Sequence, residues 1–422
     1  MIQEFYVENF MSFGDRQYVS FEATSDKTYL DELTVEVKPG VRLLKTAIIY
    51  GANASGKSNL LFAIETLWQL LITPKDVKSK LIANYKPFAL NNGEPTVMGI
   101  TFYIGDVKYT YEVMYNASSI LSEKMEYING VRRALFYERS EGNKISFGTT
   151  IGLSKNSAKT IISNSLNNHT VLSTFSKVII EDENTEFEKL FHWIEKHVHK
   201  IGSHTKSLNI GLEAELDTDL KSFMVDALRV SDFNITDFKI IEELEEDNEL
   251  PPDYILKSNI VSEEKASYLY KIRVKKIQLT HSSSKGDFLL KLEEESLGTI
   301  EYFSLCRKMY DLIRFDCIYL IDELEDSIHY DLMLNELLRF LRNSNRSQLI
   351  FTTHSQQLLD EDFIRRDMIK LVEKSHETAE SQVYSASDFK LHKKLSLFNA
   401  YKIGKFGAKP ELGSTLIDNS EN

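Results

Sequence analysis

The stretch that most constrains this 422-residue chain is residues 46–58, where an apolar run leads directly into a glycine-rich loop. Gly51, four further residues and then Gly56-Lys57-Ser58 match the phosphate-binding pattern G-x4-G-K-[ST]. The glycines let backbone N–H groups curl around a phosphate, Lys57 can reach the β- and γ-phosphates, and the Ser58 hydroxyl can bind Mg²⁺. A helical run follows, so a ligand-free glycine turn is disfavoured and we predict a site for ATP and Mg²⁺. The predicted nucleotide-binding residues of this loop are Gly51, Asn53, Ala54, Ser55, Gly56, Lys57, Ser58 and Asn59.

Composition narrows the class of protein. The net charge of −13 argues against a surface that binds nucleic acid everywhere, although a local basic groove remains compatible with it. The two cysteines, Cys306 and Cys317, have no metal or redox spacing, which favours a reducing cytoplasm. Glu4 and Glu8 interrupt the first apolar stretch, so no signal peptide is expected, and the apolar run 60–72 is too short to span a bilayer. We expect a cytoplasmic protein without a membrane partner.

The rest of the chain changes character in steps. Residues 2–10 and 18–22 predict a hairpin, and residues 95–149 contain short strands separated by Gly-Asp and Asn-Gly turns, which predicts an antiparallel meander. Residues 155–250 show helical spacing, and the acidic run 242–253 is most simply a solvated loop. The predicted domains are an N-terminal ATPase lobe at 1–155, a mainly helical insertion at 156–265 and a C-terminal ATPase lobe at 266–422.

Histidines in the helical stretch invite a metal-site interpretation. His192, His197 and His199 lie close in sequence, but no cysteine joins them and their spacing does not place two of them on one helical face. Solvated helix residues are therefore the preferred interpretation. The sequence Asn167-Asn-His resembles part of a nuclease motif, but without a second constellation it is better interpreted as a polar loop.

Downstream strands supply the remaining chemistry of the predicted site. Residues 317–323 form an apolar run that ends in Asp322, which can bind Mg²⁺, and Glu323, which can act as general base toward water. Residues 349–355 form another apolar run that ends at His354, one helix crossover later, so that His354 is predicted to contact the γ-phosphate. Between the loop and the acids, Ser296 and Gly298 open a helix at a turn that can bind an anion.

Together these stretches resemble an ABC-type ATPase of the AAA class, in the branch that includes the structural-maintenance (SMC), RecF and OLD ATPases. The run Asp322-Glu-Leu-Glu-Asp-Ser-Ile-His is similar to the branch's D-E-x-D/E-x-S-L-H-P, and Asn9-Phe-Met-Ser-Phe-Gly is similar to its opening strand. Residues 85–88, 120–125 and 401–410 resemble RloA/AbiLi-like ATPases and the AriA ATPase of PARIS systems. The resemblance covers nearly the whole chain. It implies an α/β fold: an ABC-type P-loop NTPase head with a mixed sheet core, an antiparallel β meander and a helical insertion.

The resemblance also implies an assembly. In this branch the Ser-Gly turn caps the γ-phosphate of ATP bound to the other subunit, so Ser296 and Gly298 imply a homodimer or a higher homo-oligomer. Two positions and one missing residue depart from the pattern. Tyr330 stands where proline is usual, and Met11 stands where an Arg or Lys often approaches the nucleotide. No glutamine occurs between Gln69 and Gln278, so Glu123 is the candidate for the missing Q-loop residue.

The function implied by the resemblance is an ATPase subunit of a bacterial anti-phage (abortive-infection) system. Such a subunit would control a separate nuclease or toxin, because the tail after His354, residues 388–422, is expected to be too short for a nuclease module of its own. It would respond to a phage trigger protein or to DNA. A RecF/SMC-like DNA-repair or chromosome-maintenance ATPase is the alternative, which the acidic charge disfavours. A transporter ATPase is also disfavoured, because a full L-S-G-G-Q is absent.

Overall fold

The computed structural model describes residues 1–74, 82, 84–182, 185–199, 207–231, 233–246, 271–390 and 395–409. None of the helices in these ranges combines the length and the apolar character that crossing a membrane requires. The chain forms two compact units. Unit 1 comprises residues 1–202, 312–325 and 337–422, and unit 2 comprises residues 203–311 and 326–336. The domain limits expected from the sequence, 1–155, 156–265 and 266–422, stay a prediction.

The centre of unit 1 is a six-stranded sheet in which β5 lies between two parallel neighbours, β16 and β17. Every residue of β5, Thr46–Tyr50, is buried, as expected for a strand covered on both faces. Because β15 pairs parallel to β16, the predicted adjacency of the runs 317–323 and 349–355 is confirmed. The strands of this sheet, in spatial order, are β11 (Val198–His199), β15 (Ile318–Ile321), β16 (Gln348–Thr352), β5 (Thr46–Tyr50), β17 (Ile369–Lys374) and β18 (Ser381–Ser385).

A second, seven-stranded antiparallel sheet of unit 1 contains the predicted meander. The predicted hairpin at the N-terminus is also confirmed, with Tyr6 opposite Tyr18. In spatial order its strands are β10 (Lys144–Phe147), β9 (Arg132–Ser140), β8 (Ile120–Asn129), β7 (Val107–Tyr115), β6 (Thr96–Ile104), β1 (Ile2–Glu8) and β2 (Gln17–Ser20). A two-stranded ribbon, β3 (Thr34–Lys38) and β4 (Val41–Leu44), completes the sheets of this unit.

The helix that follows the glycine-rich loop, Lys57–Ile72, joins the apolar core that the two large sheets share. The helices of unit 1 are α1 (Leu30–Leu33), α2 (Lys57–Ile72), α3 (Lys155–Asn164), α4 (Val171–Thr174), α5 (Glu186–His197) and α10 (Leu397–Lys402). Helix α5 confirms the helical spacing expected near residue 190. Pro410, which ends the C-terminal resemblance, lies outside the described residues.

Unit 2 contains helices α6 (Ser207–Leu216) and α7 (Thr218–Val230) and a three-stranded sheet of β12 (Ile235–Glu246), β13 (Lys271–Ser283) and β14 (Gly286–Lys291). Helix α8 (Leu297–Arg314) begins in this unit, and α9 (Tyr330–Asn343) begins there as well. The start of the acidic run, Glu242–Glu246, pairs with Lys271–Lys275 of β13, which corrects the expectation of a loop for these residues. Glu242 lies opposite Lys275, and opposite charges at facing positions make this pairing favourable. The remainder of the acidic run lies outside the described residues.

The helical histidines contact groups of the protein. Across the ranges that the structure describes, no group of three or more His, Cys, Asp or Glu side chains is arranged to hold a metal ion. His192 contacts Glu195, and the His197 ring contacts the Trp193 carbonyl oxygen at 3.0 Å.

A buried ion pair fixes the inside of the meander. The Glu123 carboxylate lies 3.2 Å from Arg139 Nε and accepts hydrogen bonds from the Val171 amide and from the Tyr111 and Tyr137 hydroxyls. Both charged side chains are at most 1% exposed. Burial raises the pKa of Glu123, and Arg139 offsets this effect in part. The idea that Glu123 replaces a Q-loop glutamine is therefore wrong, because its carboxylate is enclosed in the core.

We predict that Glu123→Ala lowers the free energy of unfolding by about 3 kcal/mol or more, because it leaves the Arg139 guanidinium buried without its counter-charge. Urea denaturation of the purified protein measures this loss. The matched control is Glu126→Ala on the same strand, whose side chain is 23% exposed in its ion pair with Lys124. For this solvent-screened pair we expect a change of about 1 kcal/mol or less. Equal losses in the two variants would contradict the prediction.

Candidate nucleotide-binding site

The glycine-rich loop lies where strand β5 ends and helix α2 begins. Its backbone has positive φ angles and leaves little space for side chains at the two glycines of the motif. Gly56 has φ of +109°, and Ala54 also has a positive φ, +60°. A Cβ on Gly51 would come within 2.3 Å of the Val372 carbonyl oxygen. The two glycines of the motif are therefore required by local geometry as well as by the close approach of a phosphate to the backbone.

Two serines from distant segments hold this loop in place. Ser381 Oγ donates to the Ser55 carbonyl oxygen at 2.6 Å, and the Ser381 amide donates to the Ser12 carbonyl oxygen at 2.7 Å. Asn59 Nδ2 donates to Ser12 Oγ at 2.8 Å. Asn59 was predicted to bind nucleotide, and here its side chain also ties helix α2 to the N-terminal loop. Ser12 lies inside the opening motif of the sequence, whereas no pattern in the sequence marked Ser381.

The Lys57 side chain is held over the loop by carbonyl groups of the loop backbone. Its Nζ donates to the carbonyl oxygens of Gly51 at 3.0 Å and Ala52 at 3.1 Å, and the residue is 7% exposed. Burial lowers the pKa of Lys57, and the carboxylates of Asp322 and Glu323 oppose this shift. The ammonium group thus lies within electrostatic reach of the acid pair, where a polyphosphate chain requires a cation.

Asp322 connects the acid pair to the loop. Its Oδ1 accepts hydrogen bonds from Ser58 Oγ at 3.1 Å and from Thr352 Oγ1 at 2.6 Å. Thr352 Oγ1 in turn accepts from the Glu323 amide at 2.7 Å. The carboxyl ends of three adjacent parallel strands meet here, which is where ligands bind in open α/β sheets. The sequence did not predict Thr352 as a site residue, because a threonine at a strand end belongs to no motif.

Glu323 and His354 face each other at the open side of this cluster. His354 Nε2 lies 3.7 Å from Glu323 Oε1, and the side chains are 43% and 54% exposed respectively. Glu323 adopts a positive φ of +52°, which turns the carboxylate-bearing residue out of the strand direction. An exposed carboxylate beside a histidine is accessible to water, as a general base must be.

Ser296 and Gly298 lie in unit 2, whereas the loop, the acids and His354 belong to unit 1. Ser296 Oγ accepts from the Thr299 amide at 3.2 Å, so Ser296 caps the start of helix α8. A Cβ on Gly298 would come within 2.7 Å of the Ser327 carbonyl oxygen, so only glycine fits against this turn. Leu297 between them is 60% exposed. The structure confirms a helix start here; the anion-binding role stays a prediction.

Met11, which stands where an Arg or Lys often approaches the nucleotide, has an apolar environment. It packs against the apolar core, and its amide donates to the Lys86 carbonyl oxygen at 2.7 Å. Met11 therefore supplies no cation to the site.

The residues present fit a magnesium nucleotide. The loop has glycine where a Cβ would fill the cradle, and Lys57 is a buried cation beside it. The Ser58 hydroxyl and the Asp322 carboxylate are adjacent oxygen ligands, the type that Mg²⁺ prefers. When bound, Mg²⁺ would neutralise phosphate charge at this point.

We predict that Gly56→Ala weakens nucleotide binding by about tenfold or more, because ordering the loop requires a positive φ that alanine disfavours. The added Cβ would also lie 2.5 Å from Ser381 Oγ and 2.7 Å from Ser12 Oγ. Titration with a fluorescent ATP analogue measures the affinity. Gly93→Ala is the control, since Gly93 also has a positive φ, +102°, but has nothing within 4 Å of the Cβ position. A similar loss of affinity in both variants would show that the clash is irrelevant.

Comparison with known proteins identifies the family of the chain. Residues 47–360 match the family AAA_21, described as "AAA domain, putative AbiEii toxin, Type IV TA system". A comparison with curated protein sequences finds no match. Among solved structures, the chain is similar to the SMC head domain from Thermotoga maritima, with 11% identity, a TM-score of 0.41 and coverage of 92% of this chain and 99% of that chain. It is also similar to the SmcHead bound to the C-winged helix domain of ScpA, with 13% identity, a TM-score of 0.39 and coverage of 95% and 99%. The family match spans most of the chain, and this protein therefore belongs to the AAA_21 family of AAA domains, which are ATPase-type domains.

Proposed function

We propose that this protein is the ATP-binding and ATP-hydrolysing subunit of a bacterial anti-phage (abortive-infection) system. In that role it acts in the cytoplasm, forms a homo-oligomer in an ATP-dependent manner and controls a separate nuclease or toxin. The observation that carries the enzymatic part is the hydrogen-bonded chain from Ser58 through Asp322 to Thr352 and Glu323. The defence role is supported by the family description, which names a putative toxin of a type IV system.

Each side chain of the site has a separate task in the proposed reaction. Lys57 binds the β- and γ-phosphates, and Ser58 and Asp322 supply oxygen ligands for Mg²⁺. Glu323 accepts the proton of the attacking water, and His354 donates a hydrogen bond to the terminal phosphate. The exposure of Glu323 and His354 leaves room for water and phosphate between the loop and this pair.

Oligomerisation is proposed from the Ser-Gly turn at Ser296 and Gly298. Ser296 caps helix α8, and Leu297 beside it is exposed, so this turn is available to a partner copy of the chain. In the proposed assembly the helix start would face the terminal phosphate of ATP bound to the partner, where its dipole favours negative charge. Hydrolysis would then release the contact and signal to the effector.

We expect Lys57→Ala to abolish detectable ATP binding, because the cation that neutralises the phosphates is lost. Glu323→Gln is expected to retain binding and to lower kcat by about 10²-fold or more, because it removes the base and keeps the magnesium ligands. Calorimetric titration and phosphate-release assays measure the two effects. Lys144→Ala, on an exposed strand of the meander, is the control for loss of a lysine. Rapid turnover by Glu323→Gln would refute the assignment of the base.

The same Glu323→Gln protein tests the assembly. Its mass in solution, measured by light scattering, is expected to rise to an even-numbered assembly with Mg-ATP and to remain low when Ser296→Arg is added. Ser284→Arg, at an exposed serine of the same unit, controls for an added positive charge. A mass that does not depend on ATP would contradict the proposed switch.

The defence role is tested in bacteria that carry this gene with its natural neighbours. We expect phage plating to fall by orders of magnitude with the wild-type gene and to recover with Lys57→Ala or with deletion of the adjacent effector gene. Unchanged plating by the wild-type gene across a broad phage panel, together with ATP-dependent binding of purified protein to DNA, would instead support a DNA-maintenance role.

A further inference from the structure

The turn after strand β15 carries a third carboxylate, Glu325, that the proposed reaction does not use. Glu325 is half-buried, and its Oε1 accepts a hydrogen bond from the backbone amide of His354. Its second oxygen, Oε2, is buried and has no hydrogen-bond partner within the described part of the chain. A carboxylate that accepts from a backbone amide forms a charge-assisted hydrogen bond, which is among the stronger ones in proteins.

This bond adds to the one from Thr352 Oγ1 to Asp322 Oδ1, and two further bonds join the acid turn to the end of strand β16. The Glu323 amide donates to Thr352 Oγ1 at 2.7 Å, and the Leu324 amide donates to the Thr352 carbonyl oxygen at 3.1 Å. The bond from the His354 amide to Glu325 runs in the opposite direction. Successive backbone groups therefore link the two turns, and Glu325 is the carboxylate that accepts from the His354 amide.

The backbone around His354 depends on neighbours for its position. The Thr353 amide reaches the Ile49 carbonyl oxygen at 3.3 Å, and the Ser355 amide reaches Thr353 Oγ1 at 3.0 Å. The His354 imidazole itself is 43% exposed, so side-chain packing contributes little to its orientation. The hydrogen bond to Glu325 is thus one of the contacts that hold the backbone at the point where His354 leaves the strand, and it is the one made by the His354 amide itself.

Glu325 also belongs to the electrostatic surroundings of the loop. Its negative charge is among those that oppose the burial-driven lowering of the pKa of Lys57. The carboxylate is therefore close enough to act on a group at the phosphate-binding loop, and it does not belong to a remote surface network.

We propose that Glu325 is a positioning residue that holds the His354 backbone so that the imidazole faces Glu323 and the terminal phosphate. The proposal rests on the ATPase function proposed above. Glu325 acts through His354 and takes no proton in the reaction. An alternative role as a second general base would need the negative charge itself, whereas positioning needs only an oxygen acceptor at Oε1.

The first readout needs no nucleotide. Hydrogen exchange by mass spectrometry on the full-length protein reports protection of peptides that span residues 350–357. In Glu325→Ala we expect exchange of the His354 segment to accelerate by about tenfold, the size expected from losing a hydrogen bond to a charged group. Glu325→Gln keeps a neutral oxygen acceptor, so its protection should stay within about threefold of wild type. Glu138→Ala, at an exposed glutamate of strand β9, is the matched control and should change nothing in this segment.

The second readout is kinetic. We expect Glu325→Ala to lower kcat for ATP hydrolysis as much as His354→Ala does while the affinity for Mg-ATP stays within about twofold, because the two residues act as one unit. The double variant should be no slower than His354→Ala alone. Glu325→Gln should retain most of the activity.

Two results would overturn the proposal: unchanged exchange of residues 350–357 in Glu325→Ala, or a Glu325→Gln protein that is protected yet as slow as Glu325→Ala. The latter would make Glu325 a base or metal ligand. Failure of the ATPase proposal itself has a different signature, which is absence of hydrolysis by the wild-type protein at any nucleotide concentration.

Discussion

The parallel pairing of strands β5, β16 and β15 is the constraint on which the rest of the site depends. Thr46–Tyr50 is buried along its whole length, and its register against Leu349–Thr352 places the end of each strand at one edge of the sheet. At that edge a hydroxyl from α2 reaches a carboxylate that follows β15, across 264 residues of sequence. A shift of one residue in the register of β16 against β15 would turn Thr352 away from Asp322, and a shift of β5 against β16 would move the loop relative to the acids.

The glycine-rich loop is rigid because distant segments support it. Positive φ values at Gly56 and Ala54 carry a conformational cost, and such values persist only when surrounding contacts specify them. Here the support comes from Ser12 and Ser381, which bond to each other and to the loop or its helix. A loop that is ordered in advance loses less entropy when it binds phosphate, which favours affinity.

The charged side chains of the site differ in how far they are buried. Lys57 and Asp322 are brought together in a partly dehydrated region, where attraction between charges is stronger than in water. Glu323 and His354 stay at the exposed side. This division suits a reaction in which phosphate is bound by enclosed groups while water enters from outside. The buried ion pair of Glu123 with Arg139 has no such outlet and serves the stability of the meander.

The sequence by itself determined the loop, its flanking strand and helix, the meander, and the positions of Asp322, Glu323 and His354, because each depends on local patterns of polarity and on motifs of fixed spacing. Only the tertiary structure showed that Thr352, Ser381 and Glu325 join the site, that Glu123 is enclosed, and that Glu242–Glu246 pairs as a strand. Thr352 and Ser381 are common residue types without a local signature, and Glu325 lies in a matched pattern that does not say which group it contacts. Their roles follow from strand register and from contacts between segments far apart in the chain, which no window of sequence contains.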